Sequence, residues 1–260
     1  MASAGTAAAA SASCRQSQSA ATQVAEMASV ENLTIRSNGL ILATNMNSPD
    51  LCCINATAKA SSTAVIVTDA LGLSGIGEVS PDVFAVIGGG KRQSTSNGLA
   101  VFDNDTVIAA GAGKGNVYRF SVSTGDYSVV LSDPTMAPSG DIPLGIDGIK
   151  YRDGTVWYTN IFNNSFHKIS VDNVTAEANG PVTTLWTNLR GDDLCFGPNG
   201  KLYVATNGNN SVVEVDPTVG KYQVTAVTGS TSCAFGRTDT DSDVMYVGGN
   251  SGVYSQAIKD

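Results

Sequence analysis

One short phrase recurs along this 260-residue chain, and it limits the fold more than any other feature. The phrase is an apolar strand, a polar turn that usually contains glycine, and a second apolar strand ending in Asn or Gly. Its clearest copies are ENLTIRSNGLILATN at 31–45, NGLAVFDNDTVIAAG at 97–111, DGIKYRDGTVWYTN at 147–160 and DDLCFGPNGKLYVATN at 192–207, with looser copies at 75–90 and 232–250. Turn residues between two apolar runs are typical of a β-hairpin. Each copy is therefore predicted to be a hairpin.

The spacing of the copies predicts how the hairpins assemble. Gly98, Gly148, Asp193 and Cys233 lie at equivalent points of successive copies, at intervals of 50, 45 and 40 residues. Four strands at a spacing of about 40–50 residues make one propeller blade. Six unit starts thus predict an all-β, six-bladed β-propeller. Only 23 residues separate Ile76 from Leu99, so the second blade is predicted to be truncated.

The two ends of the chain differ from the repeats. Residues 1–30 are rich in Ala, Ser, Thr and Gln and contain no aromatic residue, so we expect a low-complexity extension before a propeller over residues 31–260. The last copy holds about three strands, and its fourth would have to come from the region before Glu31. Without that strand the ring would carry an open edge, which favours aggregation.

The charge of the chain argues against nucleic acid as a partner. Its 15 Lys and Arg and 23 Asp and Glu give a net charge of −8, and the basic residues do not cluster. Such a surface repels a phosphate backbone. No run of about 18 apolar residues occurs, so no membrane span is predicted.

Five cysteines leave at least one thiol without an intramolecular partner. The adjacent Cys52 and Cys53 lack the spacing of a zinc site. We expect Cys195 and Cys233 to be buried as small apolar side chains. The fifth is Cys14.

Six acceptor sequons favour a glycoprotein of the secretory pathway, although residues 1–30 lack the apolar centre and the early positive charge of a signal peptide. The sequons lie at Asn32, Asn55, Asn104, Asn163, Asn173 and Asn209.

Polar residues begin and end the predicted hairpins, and hairpin geometry brings them together. The start of the first strand lies beside the end of the second, so both sets meet at one mouth if the first strands line the central channel. The starts are Glu31, Asn97, Asp147, Asp192 and Ser232, and the ends are Asn45, Asn160, Asn207 and Asn250. Unpaired carboxylates gathered there should have raised pKa values.

Two explanations of these polar residues stay open. Three carboxylates with amide oxygens form the hard-oxygen site that Ca²⁺ or Mg²⁺ prefers. Strand starts also favour turn-forming Asp and Asn without any metal.

The single histidine gives no support to a Ser-His-Asp triad. His167 lies in the predicted third strand of its blade, away from the axis, and we expect it at the surface.

Several phrases resemble one protein family over about residues 30–260. PDVFAVIGG, YSVVLSDPTM, LGIDGIK and LCFGPNGKLYVATN are similar to the fungal branch of the senescence-marker-protein/gluconolactonase-like six-bladed propellers. In the lactonase branch the resemblance implies a divalent cation held by Glu31, Asn97, Asp147 and Asp192. Asp147 departs from the family pattern, which usually has Asn there, and this puts the hydrolytic activity in doubt.

The same branch includes the hetero-Diels-Alderases of tropolone-sesquiterpenoid biosynthesis, which join a tropolone quinone methide to a humulene-type sesquiterpene. The resemblance implies an enzyme of fungal secondary metabolism that requires no cofactor and takes a small apolar polyketide or terpenoid substrate. We expect four residues to polarise the substrate carbonyl: Glu31, Asn97, Asp147 and Asn160. Further channel contacts are expected from Asn45, Met46, Trp157, Asn207 and Asn250, with Phe162 and Trp186 as additional apolar wall or interblade core.

Three functional hypotheses follow from the sequence. We prefer the cofactor-independent pericyclase. The alternative is a metal-dependent lactonase or hydrolase, in which a cation would activate water. The third is a binding propeller without catalysis, because the fold alone does not decide function.

Overall fold

The computed structural model describes residues 20–89, 96–216 and 220–258. Residues 1–19, which make up most of the predicted extension and include Cys14, lie outside the described residues. The described chain consists of β-strands joined by turns, with two short 3-10 helices, Pro134–Met136 and Asn207–Asn209.

The strands form antiparallel sheets in chain order. After β1 (Thr22–Glu26), the first sheet contains β2 (Val30–Ile35), β3 (Ile41–Asn45), β4 (Asp50–Asn55) and β5 (Ala60–Ile66). The next sheet has two strands, β6 (Gly72–Ser80) and β7 (Val83–Gly89). The third sheet contains β8 (Ser96–Val101), β9 (Thr106–Gly111), β10 (Asn116–Ser121) and β11 (Tyr127–Ser132).

Three more sheets complete the described chain. One contains β12 (Ile146–Arg152), β13 (Thr155–Asn160), β14 (Ser165–Ser170) and β15 (Thr183–Trp186). The next contains β16 (Leu194–Phe196), β17 (Leu202–Thr206), β18 (Ser211–Asp216) and β19 (Gly220–Ala226). In the last, β20 (Ser232–Phe235), β21 (Val244–Gly249) and β22 (Gly252–Ala257) pair with β1.

The first strands of the sheets surround a common centre. Contacts run from β2 to β6, β8, β12, β16 and β20 in turn, and β20 contacts β2 again. The prediction of an all-β propeller is confirmed, with five four-stranded sheets and the two-stranded sheet β6–β7.

The two ends of the described chain meet in one sheet. Strand β1 pairs antiparallel with β22, with Thr22 opposite Ser255 and Glu26 opposite Gly252. The region before Glu31 therefore supplies the fourth strand that the last repeat lacked. This corrects the boundary drawn at residues 30 and 31, because backbone pairing makes residues 22–26 part of the sheet structure.

Apolar side chains fill the space between neighbouring sheets. Between the third and fourth sheets, Ile108, Val117, Ile146 and Tyr158 are buried in one cluster. Alternate residues of each strand point toward the neighbouring sheet, and the polar turns lie outside these layers. The apolar strands of the hairpin phrase therefore pack sheet against sheet. Within the described part of the chain, no helix is long and apolar enough to span a bilayer.

A disulfide joins the inner strands β16 and β20 of adjacent sheets. Cys195 and Cys233 are bonded, with Cα atoms 5.6 Å apart. Both are buried as expected, but their assignment as simple apolar side chains is wrong, because the ring brings their strands side by side. Cys52 and Cys53 are free and half-buried.

Candidate functional site

Two glycines on the inner strands bring the polar residues of neighbouring sheets together. Gly98 follows Asn97, and a Cβ atom at residue 98 would lie 2.8 Å from the backbone nitrogen of Ile149. Gly148 follows Asp147, and a Cβ there would lie 2.6 Å from Cα of Asp193. Only glycine permits such close backbone approach. The phrases NG and DG thus hold each polar residue against the next inner strand.

Amide groups bind two of the central carboxylates. The side-chain nitrogen of Asn97 donates a hydrogen bond to Oδ1 of Asp147. The side-chain nitrogen of Asn207 donates to Oδ2 of Asp192 across 2.9 Å. The carboxylates are therefore oriented by neutral donors and not by cations.

A fourth carboxylate, Asp193, has a different environment. Its Oδ2 accepts from Nδ2 of Asn32 at 2.7 Å and lies 2.5 Å from Nζ of Lys150. Its Oδ1 accepts from the backbone N–H of Leu194 at 2.8 Å. The buried lysine contact thus goes to Asp193, and the other three carboxyl groups are left with their mutual repulsion.

Burial and this repulsion favour the protonated carboxyl groups. Burial raises the pKa of Glu31 to about 7, against the hydrogen bond from Asn97 and together with the charge of Asp193. Burial also raises the pKa of Asp147 well above its ordinary value, and the charges of Glu31 and Asp193 add to this. The pKa of Asp192 is raised in the same way, by burial and then by Asp147 and Glu31. The prediction of raised pKa values at the channel mouth is confirmed in direction.

A cavity of about 520 Å³ opens beside the two-stranded sheet and reaches this cluster. Its polar lining includes Asn97 and Asp147, two of the predicted catalytic residues. Apolar lining comes from Met46, Leu71, Leu73, Ala112, Pro143 and Leu144. The volume lies in the range of about 300–1,000 Å³ that is usual for small-molecule sites. The structure therefore combines a largely apolar cavity with a buried carboxyl group of raised pKa and an amide.

Most of the asparagines at the ends of the second strands do not contact the central carboxylates, although hairpin geometry predicted that they would lie beside them. Asn160 is buried, but its amide donates to the carbonyls of Thr135 and Ala137, both at 3.0 Å. The Asn160 amide thus holds the segment around Pro134–Met136, and the catalytic role predicted for Asn160 stays a prediction. Of the second-strand ends, only Asn207 is bonded to a central carboxylate.

Asn45 and Asn250 likewise have local roles. The amide of Asn45 donates to the Ala28 carbonyl at 3.0 Å, and its oxygen accepts from the Asn47 backbone at 2.8 Å. It shapes the turn that carries the cavity residues Met46 and Asn47. Asn250 is exposed, and its backbone bonds to Thr228 at 3.2 Å. Neither residue lines the cavity.

The predicted aromatic wall is part of the packing between sheets. Trp157 stacks on Phe166 with ring centroids 6.1 Å apart, and Phe166 stacks on Trp186 at 6.0 Å. Trp157 also lies edge-on to Phe196 of the next sheet at 6.4 Å. Both tryptophans pack against the buried cluster around Phe166, and neither lines the cavity, so the substrate-binding role of Trp157 stays a prediction. Phe162 is half-buried and does not line the cavity.

His167 is buried, in contrast to the predicted surface position. Its ring nitrogens lie 2.8 Å from Oγ of Ser165 and 3.1 Å from Oγ1 of Thr184. It stacks on Tyr158 at 4.9 Å. Burial lowers its pKa to about 4, so the imidazole is neutral near pH 7. The hydroxyl groups explain how a histidine is accommodated there.

The residues expected to hold a cation do not converge on one ion. Glu31, Asn97, Asp147 and Asp192 offer oxygen atoms of the kind that Ca²⁺ binds. Over residues 20–89, 96–216 and 220–258, however, no group of three or more His, Cys, Asp or Glu side chains is placed to hold a metal. Amide N–H groups occupy oxygens of two of the carboxylates instead. The oxygen atoms of these four residues are suitable ligands for a cation, but their positions in this structure are not.

One of the six sequons is inaccessible. Asn32 is buried, and its amide nitrogen is bonded to Asp193, so a glycan there is incompatible with this fold. The other five asparagines are exposed: Asn55, Asn104, Asn163, Asn173 and Asn209.

Sequence reasoning missed Asp193, Lys150 and most of the cavity wall. The adjacent acids of the phrase GDDL were a usable signal for Asp193, because consecutive strand residues point to opposite sides. Leu144 comes from a loop outside the repeat, and no pattern indicated its position.

Comparison with known proteins gives one partial sequence match and several matches of fold. A curated protein of Phoma sp described as "Putative hetero-Diels-Alderase" is 31% identical over 152 residues. The match covers 52% of this chain and 42% of the relative, so it spans less than half of the relative's length. No protein-family model matches the chain.

Solved structures share the architecture at low sequence identity. Regucalcin from Agrobacterium tumefaciens, described as a calcium-binding protein, has a TM-score of 0.66 at 13% identity, with coverage of 93% of this chain and 94% of that chain. A luciferin-regenerating enzyme has a TM-score of 0.67 at 12% identity, with coverage of 88% and 91%. Virginiamycin B lyase from Staphylococcus aureus has a TM-score of 0.56 at 14% identity, with coverage of 86% and 78%. Such identities show the fold alone. The chain is thus similar in sequence to the Phoma protein and has the fold of the regucalcin-like propellers, which confirms the similarity that its phrases indicated.

Proposed function

We propose that the protein is a hetero-Diels-Alderase-type pericyclase that requires no cofactor. The observation that carries this proposal is the position of Asp147, a buried carboxyl group with a strongly raised pKa, at the inner end of a largely apolar cavity. The named relative supports the reaction class. The proposed substrates are a tropolone quinone methide and a humulene-type sesquiterpene.

The reaction needs polarisation and positioning but no nucleophile. The C=C–C=O unit of the quinone methide adds to an alkene, so that one C–C and one C–O bond form while three π bonds become one. A hydrogen bond to the carbonyl oxygen lowers the energy of the acceptor orbital and speeds the addition. Protonated Asp147 is the donor in this proposal, and the Asn97 amide lies beside it. The donor is already oriented, which is the basis of electrostatic preorganisation.

The apolar wall of the cavity positions the two reactants. Leu73, Ala112 and Leu144 offer no competing hydrogen-bond partner and exclude water from the reacting carbonyl. Holding both reactants in contact converts a bimolecular reaction into an effectively unimolecular one.

The architecture behind this cavity is part of the proposal. We interpret sheet β6–β7 as the second of six blades, reduced to its two inner strands. The cavity lies beside this sheet and is lined by residues of β6, β8 and β12. A full outer pair of strands would be expected to narrow the entrance.

The experiment compares purified protein with buffer for the yield, rate and stereochemistry of the adduct formed from a quinone-methide precursor and humulene. We expect accelerated formation of one stereoisomer and a loss of about 100-fold in Asp147→Ala, as for removal of one preorganised donor. Asp239→Ala, at an exposed site, is the matched control and should keep full activity. Product distributions identical to buffer would overturn the proposal.

A metal-dependent lactonase is the second candidate. The regucalcin-like fold and the three buried carboxyl groups at the channel favour it. It requires Glu31, Asn97, Asp147 and Asp192 to rearrange around a cation. Calcium titration followed by melting temperature tests it, because an ion bound to the folded state raises the melting temperature. An unchanged melting temperature at millimolar Ca²⁺, together with lactone hydrolysis no faster than in buffer, would remove this candidate.

We also propose a secretory route for the protein. The Cys195–Cys233 disulfide suits an oxidising compartment, and five sequons are exposed. Treatment with an N-glycosidase should lower the apparent mass of the protein purified from its own host. An unchanged mass would contradict glycosylation.

A further inference from the structure

The cavity changes in character from its inner end to its mouth. Asp147 and Leu73 are 6% and 1% exposed, so they mark the inner end. Met46 and Leu71 line the same cavity but are 45% and 57% exposed, so they mark the mouth. The polar acid therefore lies deep, and large apolar side chains face solvent at the entrance.

A third exposed apolar side chain lies next to the cavity lining in the sequence. Ile142, 44% exposed, immediately precedes the lining residues Pro143 and Leu144. The backbone N–H of Leu144 donates to the Ile142 carbonyl at 2.8 Å, and that of Gly145 donates to the Ala112 carbonyl at 2.7 Å. This loop is thus attached to the cavity wall. We call Met46, Leu71 and Ile142 the apolar rim.

Backbone contacts also hold the two rim residues that line the cavity. The N–H of Leu71 donates to the carbonyl of Gly89, the last residue of β7, at 2.6 Å. The N–H of Met46 donates to the Ser29 carbonyl at 3.2 Å. Exposing large apolar side chains at the opening of a cavity is costly unless a ligand covers them, and such clusters mark interaction sites.

We propose that the apolar rim is a subsite for the uncharged hydrocarbon reactant, while the carbonyl oxygen of its reaction partner lies at Asp147 and Asn97. This inference rests on the proposed function, because it assigns the positions of the two reactants in the same cavity. The hydrocarbon enters last and remains partly at the mouth. A charged or hydroxylated reactant would lose the rim contacts.

A series of methyl ketones separates the two ends of the cavity. We would measure the affinity of 2-hexanone, 2-octanone and 2-decanone by calorimetry or by displacement of a fluorescent ligand. Full burial of a methylene group increases affinity about fourfold, so partial burial at the rim should give about two- to threefold per added carbon. An affinity that stops rising at 2-hexanone would overturn the subsite.

Rim variants give the sharper test. Leu71→Ser and Ile142→Ser change exposed side chains, and their melting temperatures should stay within a few degrees of the parent. We expect each substitution to lower the affinity for 2-decanone by about five- to tenfold, while the affinity for 2-hexanone changes less than twofold. Val174→Ser, which removes an apolar side chain that is 74% exposed and outside the cavity, is the control and should change neither. Equal losses for both ketones would overturn the proposal.

The inner end is tested separately. Asp147→Ala should lower the affinity for all three ketones by a similar factor if the carbonyl lies there, and a loss confined to 2-decanone would overturn the proposed orientation. Ketone binding does not depend on cycloaddition. A chain-length series that behaves as expected in a protein without cyclase activity would refute the proposed function and keep the subsite.

Discussion

The side-chain amide of Asn97 donates a hydrogen bond to Oδ1 of Asp147, across the junction between inner strands β8 and β12. Both residues line the cavity, so one amide orients the acid that the reaction is proposed to use. The same hydrogen bond opposes the effect of burial on the pKa of Asp147.

Replacing Asn97 should therefore affect turnover more than folding. Asn97→Leu leaves the carboxyl group without its orienting donor, and we expect the cycloaddition rate constant to fall by about 10- to 100-fold. Single-turnover kinetics would measure the change. Asn179→Leu, at an exposed position, is the matched control. A rate within twofold of the parent would contradict the role of Asn97.

Glu31 makes the stability of the fold depend on pH. Its pKa is raised from 4.5 to about 7, so the folded chain keeps a proton that the unfolded chain loses between these values. The free energy of unfolding therefore falls as pH rises through this window, by up to about 3 kcal/mol from this group. The lowered pKa of His167 acts in the opposite direction between about 4 and 6.5, so the parent curve alone is not diagnostic.

The comparison with Glu31→Gln isolates the acid. We expect the stability difference between this variant and the parent to grow in favour of the variant as pH rises from 4.5 to 7. Urea unfolding at several pH values would measure it. A difference that is constant with pH would show that Glu31 is ionised in the folded protein throughout.

Gly148→Ala should separate the inner strands that carry Asp147 and Asp193. The new methyl group would meet the backbone of the next strand, and relief of this contact is expected to cost about 1–3 kcal/mol of stability. Chemical denaturation would measure the loss. Gly125→Ala tests a glycine with nothing near its Cβ position, although its φ of 76° adds strain of its own. A Gly148 variant as stable as the parent would contradict close packing at the site.

The disulfide should contribute measurable stability. Cys195 and Cys233 are 38 residues apart, and closing a loop of this size typically contributes about 2–4 kcal/mol. The double variant Cys195→Ala/Cys233→Ala should melt roughly 5–15 °C lower. Cys53→Ala, which removes a free thiol, is the control. Equal melting temperatures of parent and double variant would show that the bond contributes nothing.

The repeat predicted the sheets well because hairpins are local: Asn38–Gly39 and Asp153–Gly154 place turns where two apolar runs meet. The central carboxylates Glu31, Asp147 and Asp192 also followed from the repeat, since equivalent positions of inner strands converge on the axis. The upward direction of their pKa shifts followed from the same argument, because buried like charges repel.

Other parts of the site depend on contacts between distant segments, which a local pattern does not contain. Asn160 ends its strand as predicted, but its amide donates to carbonyls 25 and 23 residues upstream, at Thr135 and Ala137. Trp157 looked like a channel residue because the repeat says nothing about which face of the second strand meets the next sheet. Leu71 and Leu144 entered the cavity through loops of irregular length.

The pairing of β1 with β22 also has a consequence for how the protein is made. Thr22 of β1 lies 233 residues before its partner Ser255 of β22, so β1 is synthesised long before the strand with which it pairs. Until β22 is made, the edge of β1 is unpaired, and such edges are prone to pair with other chains. Slow translation between these two strands, or crowding of nascent chains, should therefore lower the yield of closed rings.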